Sequence, residues 1–118
     1  RDTKKSNINK IISFLKNKYS DKELKIDNYF LEESVILSKN VQSAIESAAQ
    51  MLNYDYMHMF SGAGHDASPL AKVTDAGMIF VPSKNGVSHS PEEWTNWDYV
   101  EKGANLLLET IKRLDQNL

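Results

Sequence analysis

Ser61-Gly62-Ala63-Gly64-His65-Asp66-Ala67, then Met78-Ile79-Phe80-Val81-Pro82, then Ser88-His89-Ser90-Pro91-Glu92-Glu93, is the stretch on which the fold of this chain turns. Gly62-Ala63-Gly64 reads as a tight turn, and Tyr56-Met57-His58-Met59-Phe60 before it as a strand. His65 to Val73 has room for a short helix with Pro69 in its first turn, where a missing N–H costs nothing. Met78 to Val81 is a continuous apolar run, the pattern of a strand buried on both faces, and Pro82 stops it. After the loop Ser83–Ser88 and His89, the segment Ser90-Pro91-Glu92-Glu93 spells an N-cap, a proline at the first helical position and a capping-box glutamate. That order predicts a helical turn directly after His89. A closing helix follows, with Ala104, Leu107, Leu108, Ile111 and Leu114 on one face. Strand, loop, helix, strand, loop, helix is the order of an α/β layer with a mainly parallel sheet, whose sites gather at the carboxyl ends of strands. Both histidine loops follow predicted strands.

Upstream, Ile8, Ile11, Ile12, Leu15 and Tyr19 recur at helical spacing after Ser6, a candidate N-cap. Ser20-Asp21 breaks the pattern, and Leu24, Ile26 and Asn28-Tyr29-Phe30-Leu31 alternate as an extended segment. Residues from about 32 to 39 connect it to a second amphipathic helix carrying Val41, Ala44, Ile45, Ala48, Ala49 and Leu52, small enough in part for close packing. The composition shifts here, so a boundary is expected. There is no internal repeat and no low-complexity segment.

The chain has 118 residues, 41% hydrophobic and 25% charged, the balance of a globular domain with one modest core. A formal net charge of -2 provides no basic field for nucleic acid or anionic lipid. Lys4, Lys5, Lys10, Lys16 and Lys18 fit the solvated side of an amphipathic helix. Cysteine is absent, which removes disulfides and thiolate ligands and leaves histidine and carboxylates as the strong metal donors. No apolar run approaches the roughly 18 residues of a membrane span, and no signal peptide opens the chain. A cytoplasmic setting fits. The start at Arg1-Asp2, without methionine, suggests a piece of a longer protein.

Chemistry has to be weighed side chain by side chain. Gly62 and Gly64 let a ligand approach the main chain, and a helix starting near His65 would offer N–H groups to a carboxylate or oxyanion; a plain turn explains them equally. The third glycine of a dinucleotide fingerprint and the Lys-Ser/Thr of a P-loop are missing, which argues against nucleotide binding. His65 beside Asp66 serves as acid, base or ligand, or only as a capping pair. His89 stands in a polar loop before a helix N-cap, where one ring nitrogen is available to Zn²⁺ or Mn²⁺; a loop histidine with no such duty is the competing reading, since no HxxxH or HxH pair accompanies it. His58 reads as structural or solvent-facing, and Trp94 and Trp97 as packing. Glu92 and Glu93 are adjacent and point apart, so they make no acid/base dyad.

Three motifs in order carry a resemblance. SGAGHDA at 61–67, AGMIFVPS at 76–83 and GVSHSPEEWT at 86–95 resemble the C-terminal signature of the M20-type metal-dependent amidohydrolases. That group includes N-carbamoyl-L-amino acid hydrolase, allantoate amidohydrolase and β-ureidopropionase. Arg1-Asp2 resembles the end of a lid-domain strand motif whose preceding aspartate lies outside the chain. The resemblance implies a zinc-peptidase-like α/β catalytic domain with an inserted ferredoxin-like lid or dimerisation domain. Residues 1–33 would be the last helix and strand of the lid, and 34–118 the C-terminal part of the catalytic domain. It further implies two divalent metal ions, Zn or Mn with Co or Ni as substitutes, a homodimer, and hydrolysis of a carbamoyl or ureido C–N bond. His89 matches the last metal-ligand histidine, and His65 a histidine that contacts substrate or stabilises the transition state. Arg1 matches an arginine that binds the substrate carboxylate, while Gly62, Ala63 and Gly64 would line the pocket by their backbone.

The family's other ligands, a His-x-Asp pair, a Glu-Glu pair and another histidine, have no counterpart here, so this stretch alone is expected to be inactive and prone to self-association. Two alternatives stand beside the amidohydrolase: a related M20 peptidase or deacylase, and a non-catalytic interaction module that kept the motifs.

Overall fold

The computed structural model describes residues 5–20, 22, 25 and 34–115. Its helices are α1 (Lys5–Lys18), α2 (Lys39–Met51), α3 (Ala67–Leu70) and α4 (Trp97–Asp115), with a 3₁₀ turn at Lys84–Gly86. The chain forms two compact units, one of Arg1–Ile36 with Ser61–Gly64 and one of Leu37–Phe60 with His65–Leu118.

In the first unit α1 is the amphipathic helix the spacing predicts, but it begins at Lys5, so Ser6 lies inside it rather than at its N-cap. The stripe that is half-buried is Ile8, Ile12, Leu15 and Tyr19, spaced by three or four residues, whereas Ile11 and Phe14 are exposed. The Lys18 ammonium lies 5.7 Å from both the Phe14 and the Tyr19 ring centroids, which places part of the lysine face against aromatic surface. The extended segment expected at Leu24–Leu31 falls outside the described residues, apart from Lys25.

The second unit is organised on α2. Ser38 caps it, its hydroxyl accepting from the Val41 N–H at 3.5 Å. At the other end Asn53 takes the left-handed conformation (φ 56). The Tyr54 N–H reaches the Ala49 carbonyl and the Asn53 N–H the Gln50 carbonyl, the paired bonds of a Schellman cap. Asparagine tolerates that φ better than other side chains do, which is why the helix ends there without a glycine. All six apolar positions expected to be covered are so: Val41, Ala44, Ile45 and Leu52 in part, Ala48 and Ala49 fully.

α2 packs on α4. The covered side of α4 carries Gly103, Leu106, Thr110 and Arg113, and the buried Thr110 hydroxyl is satisfied by the Leu106 carbonyl at 2.7 Å. This corrects the expected face: Ala104, Leu107, Leu108 and Ile111 are exposed, and of that set only Leu114 is half-buried. Each methyl buried on that side contributes about 0.8 kcal/mol. The 76–82 segment lies against both helices. The Ser38 N–H donates to the Ala76 carbonyl, a Cβ on Gly77 would sit 2.4 Å from Val41 Cγ1, and one on Gly103 would sit 2.6 Å from Val81 Cγ1.

Among the described residues there is no strand, so the two predicted at Tyr56–Phe60 and Met78–Val81 are not realised as ladder partners. A strand exists only by pairing. Strand-like alternation nevertheless persists in the first: the Gln50 amide donates to the Tyr56 hydroxyl at 3.1 Å, and His58 Nε2 meets Glu46 Oε1 at 2.7 Å. Alternate residues of the segment thus engage α2 at positions one helical turn apart, while Met57 and Met59 are exposed.

Candidate functional site

Lys84 donates its N–H to the Trp94 carbonyl at 2.7 Å, and the Ser83 hydroxyl donates to the Val87 and Trp94 carbonyls, so one short stretch of backbone closes the base of the His89 loop. Inside it, Asn85 (φ 57) and Gly86 (φ 68) adopt left-handed conformations that turn the chain. Ser90 to Glu93 closes a single turn, with the Glu93 N–H on the Ser90 carbonyl at 3.0 Å. The helical turn expected directly after His89 is present as this single turn and does not extend into a helix. The Trp94 carbonyl is engaged across the loop instead of along a helix, and α4 starts only at Trp97, where the Asn96 carbonyl accepts from Tyr99 and Val100.

Glu92 and Glu93 point apart, as their adjacency requires. The Ser90 hydroxyl donates to the Glu92 carboxylate and holds its pKa below the usual carboxylate range. Glu93 reaches back to accept the His89 backbone N–H at 2.8 Å. His89 itself is exposed and has φ 55. A non-glycine residue there costs about 1–3 kcal/mol and persists only where its surroundings hold it. Trp94 and Trp97 pack edge to face with centroids 6.4 Å apart, and both remain exposed.

His65 is half-buried, and its ring stands edge-on to Phe80 with centroids 5.7 Å apart. The imidazole thus rests against the 76–82 segment. α3 is one turn long, from Ala67 to Leu70 with Pro69 within it, and Asp66 makes no side-chain cap. Such a helix has no useful dipole, which removes the anion-binding N-terminus expected near His65. In the other unit, the Ser61 hydroxyl accepts the Ala63 N–H at 3.1 Å and shapes the Gly62-Ala63-Gly64 turn, which is exposed. Gly62 has no left-handed φ, and a Cβ there would meet nothing within 4 Å. The fold described does not need a glycine at that position. Arg1 lies outside the described residues.

The structure thus pairs His65 with Phe80 and His89 with Glu93. Sequence reading missed both partners, as well as the strain at Asn85 and His89. The Asn85-Gly86 dipeptide and the glutamate four residues after His89 were the available signals. Among the described residues no three His, Asp or Glu side chains gather in a group able to hold a metal ion. No helix among them is long and apolar enough to cross a membrane.

A model of the family described as peptidase family M20/M25/M40 matches residues 5–113. The chain is 43% identical over 91 residues to an N-carbamoyl-L-amino-acid amidohydrolase of Paenarthrobacter aurescens, a match covering 77% of this chain and 22% of that protein. It is 37% identical over 89 residues to the allantoate amidohydrolase of Bacillus subtilis, covering 75% of this chain and 22% of the relative. A crystal structure of an amidase of the hydantoinase/carbamoylase family from Burkholderia multivorans superimposes with a TM-score of 0.81 at 29% identity, over 93% of this chain and 28% of that one. The chain spans about a fifth of the length of the curated relatives it matches.

Proposed function

The chain belongs to peptidase family M20/M25/M40, and from that premise we propose that the intact protein is an amidohydrolase that cleaves a carbamoyl or ureido C–N bond, with this chain as a C-terminal part of it. The observation that carries the reading is His89, exposed in a left-handed conformation and clamped by Glu93 within a loop closed at its base. Backbone strain held around an unencumbered imidazole is an arrangement that a functional side chain uses. The names of the relatives support the substrate class: N-carbamoyl-L-amino acids for one, allantoate for another.

In this reading residues 1–33 close a lid or dimerisation domain and 34–118 complete the catalytic domain. His89 donates one imidazole nitrogen to a centre of two divalent ions, Zn or Mn, whose other donors lie outside this chain. Amidohydrolases of the family are generally metal-dependent. His65, its ring oriented by Phe80, points an N–H toward the oxygen on which charge develops as the carbonyl is attacked. The Gly62-Ala63-Gly64 backbone lies along the substrate, and Arg1 pairs with its carboxylate. The chain alone is inactive, and the intact protein works as a cytoplasmic homodimer.

Large apolar side chains left open support a larger folded context. Met57 is 78% exposed, Met59 61% and Phe60 80%, far more than a finished domain leaves bare in one small stretch. The test is ammonia release by the intact protein from N-carbamoyl-L-amino acids, allantoate and ureidopropionate, with dipeptides alongside. Turnover of the ureido compounds is expected, and turnover of dipeptides alone would assign the protein to the peptidases.

A further inference from the structure

We propose that Glu93 is a positioning residue whose carboxylate holds the His89 loop rather than a helix. Three observations combine. The Glu93 carboxylate accepts the His89 N–H at 2.8 Å, one residue before the N-cap amide that a capping-box glutamate takes. A capping box ordinarily secures the first turn of a helix, yet after the single turn at Ser90–Glu93 the chain runs without regular structure until Trp97, so the glutamate has no helix to cap. The residue whose N–H it takes is the one with φ 55, a conformation that needs outside support.

Glu93 therefore supplies the restraint. With its backbone fixed at the amide by Glu93 and the loop base closed between Lys84 and Trp94, the His89 imidazole projects from a defined point while keeping both ring nitrogens available. Removing the carboxylate lets His89 relax toward ordinary negative φ and swings the ring away. A carboxamide at the same place still offers an oxygen to the N–H. The consequence for turnover rests on the reading of His89 as part of the reaction; the consequence for the loop does not.

The experiment uses the intact protein labelled with ¹⁵N-histidine, as wild type, Glu93→Gln and Glu93→Ala. In Glu93→Ala the His89 amide should exchange about tenfold faster or more, the factor expected when a hydrogen bond to a charged acceptor is lost. His58 and His65 should keep their resonances. Glu93→Gln should stay within about threefold of wild type, because a neutral acceptor retains most of that bond. Turnover of an N-carbamoyl amino acid should fall about 10- to 100-fold in kcat with little change in KM for Glu93→Ala, and recover in Glu93→Gln. Unchanged His89 amide exchange in Glu93→Ala, or Glu93→Gln as impaired as Glu93→Ala, overturns the proposal. If Glu93→Ala does not fold, Glu93→Gln is compared with Glu93→Leu, which keeps the bulk without an acceptor; equal His89 exchange in the two overturns it as well. Wild-type protein without ureido turnover, but with His89 exchange responding as described, would refute the proposed function and leave the positioning role standing.

Discussion

Adding one methyl group at Gly62 separates what the fold needs from what the reaction needs. The Cβ of Gly62→Ala meets nothing within 4 Å, and the backbone there is not left-handed. The folded state thus loses no contact and gains no strain. Alanine also has fewer unfolded conformations to give up, so stability should hold or rise by about 0.4–1 kcal/mol. If the turn lies along the substrate, the same methyl intrudes on a close-fitting ligand, at the 1–3 kcal/mol typical of overpacking. That corresponds to about 5- to 150-fold in kcat/KM. The assay is a thermal midpoint together with ammonia release from an N-carbamoyl-L-amino acid, both on the intact protein. Gly86→Ala is the control: φ is 68 and the space is equally open, so backbone strain alone should cost about 1–2 kcal/mol. A Gly62→Ala protein with lowered midpoint would show that the turn is conformationally required. One with kcat/KM unchanged within about twofold would show that the turn does not border the substrate.

Three further variants probe the packing. Gly77→Ala places a Cβ 2.4 Å from Val41 Cγ1 and 3.2 Å from Val41 Cβ, and should destabilise by about 1–3 kcal/mol. Gly103→Ala meets only Val81 Cγ1 and gains about 1 kcal/mol of helix propensity, so it should come closer to neutral; urea unfolding that finds it the more damaging of the two would contradict the described packing of the 76–82 segment. Phe80→Leu keeps an apolar side chain but loses the edge-to-face contact with His65, worth about 0.5–1.5 kcal/mol. Turnover should drop by about 2- to 10-fold, and a full rate would mean that Phe80 does not orient the imidazole.

Helices were the legible part of this sequence. Val41 to Leu52 announced both the existence and the buried side of α2, because a 3.6-residue stripe of small and branched residues has few other uses. The covered side of α4 was misread for an instructive reason: hydrophobicity singles out Leu107, Leu108 and Ile111, but the side that is covered carries Gly103, which lies against Val81, and the buried Thr110. The strand readings at Tyr56–Phe60 and Met78–Val81 correctly sensed period-two and continuous apolar patterns, yet a strand depends on partners that a local pattern does not contain. At the site, motif identity singled out His65 and His89. Of their supports, Phe80 lies fifteen residues from His65 and is brought in by tertiary structure, while the Glu93 carboxylate reaches His89 through the local turn at Ser90–Glu93. The strain at His89 leaves no mark in composition or spacing, since φ follows from the loop's hydrogen bonds.

The central claim, that His89 serves a ureido-cleaving centre in the intact protein, is tested most directly by measuring ammonia release and bound divalent metal on the same preparations of wild type and His89→Ala. The account predicts that the substitution lowers ureido hydrolysis by at least about 100-fold and reduces the metal retained, while the thermal midpoint measured on metal-stripped samples stays nearly unchanged because the side chain is exposed. Equal ammonia release by the two proteins, or full metal retention by His89→Ala, would contradict it.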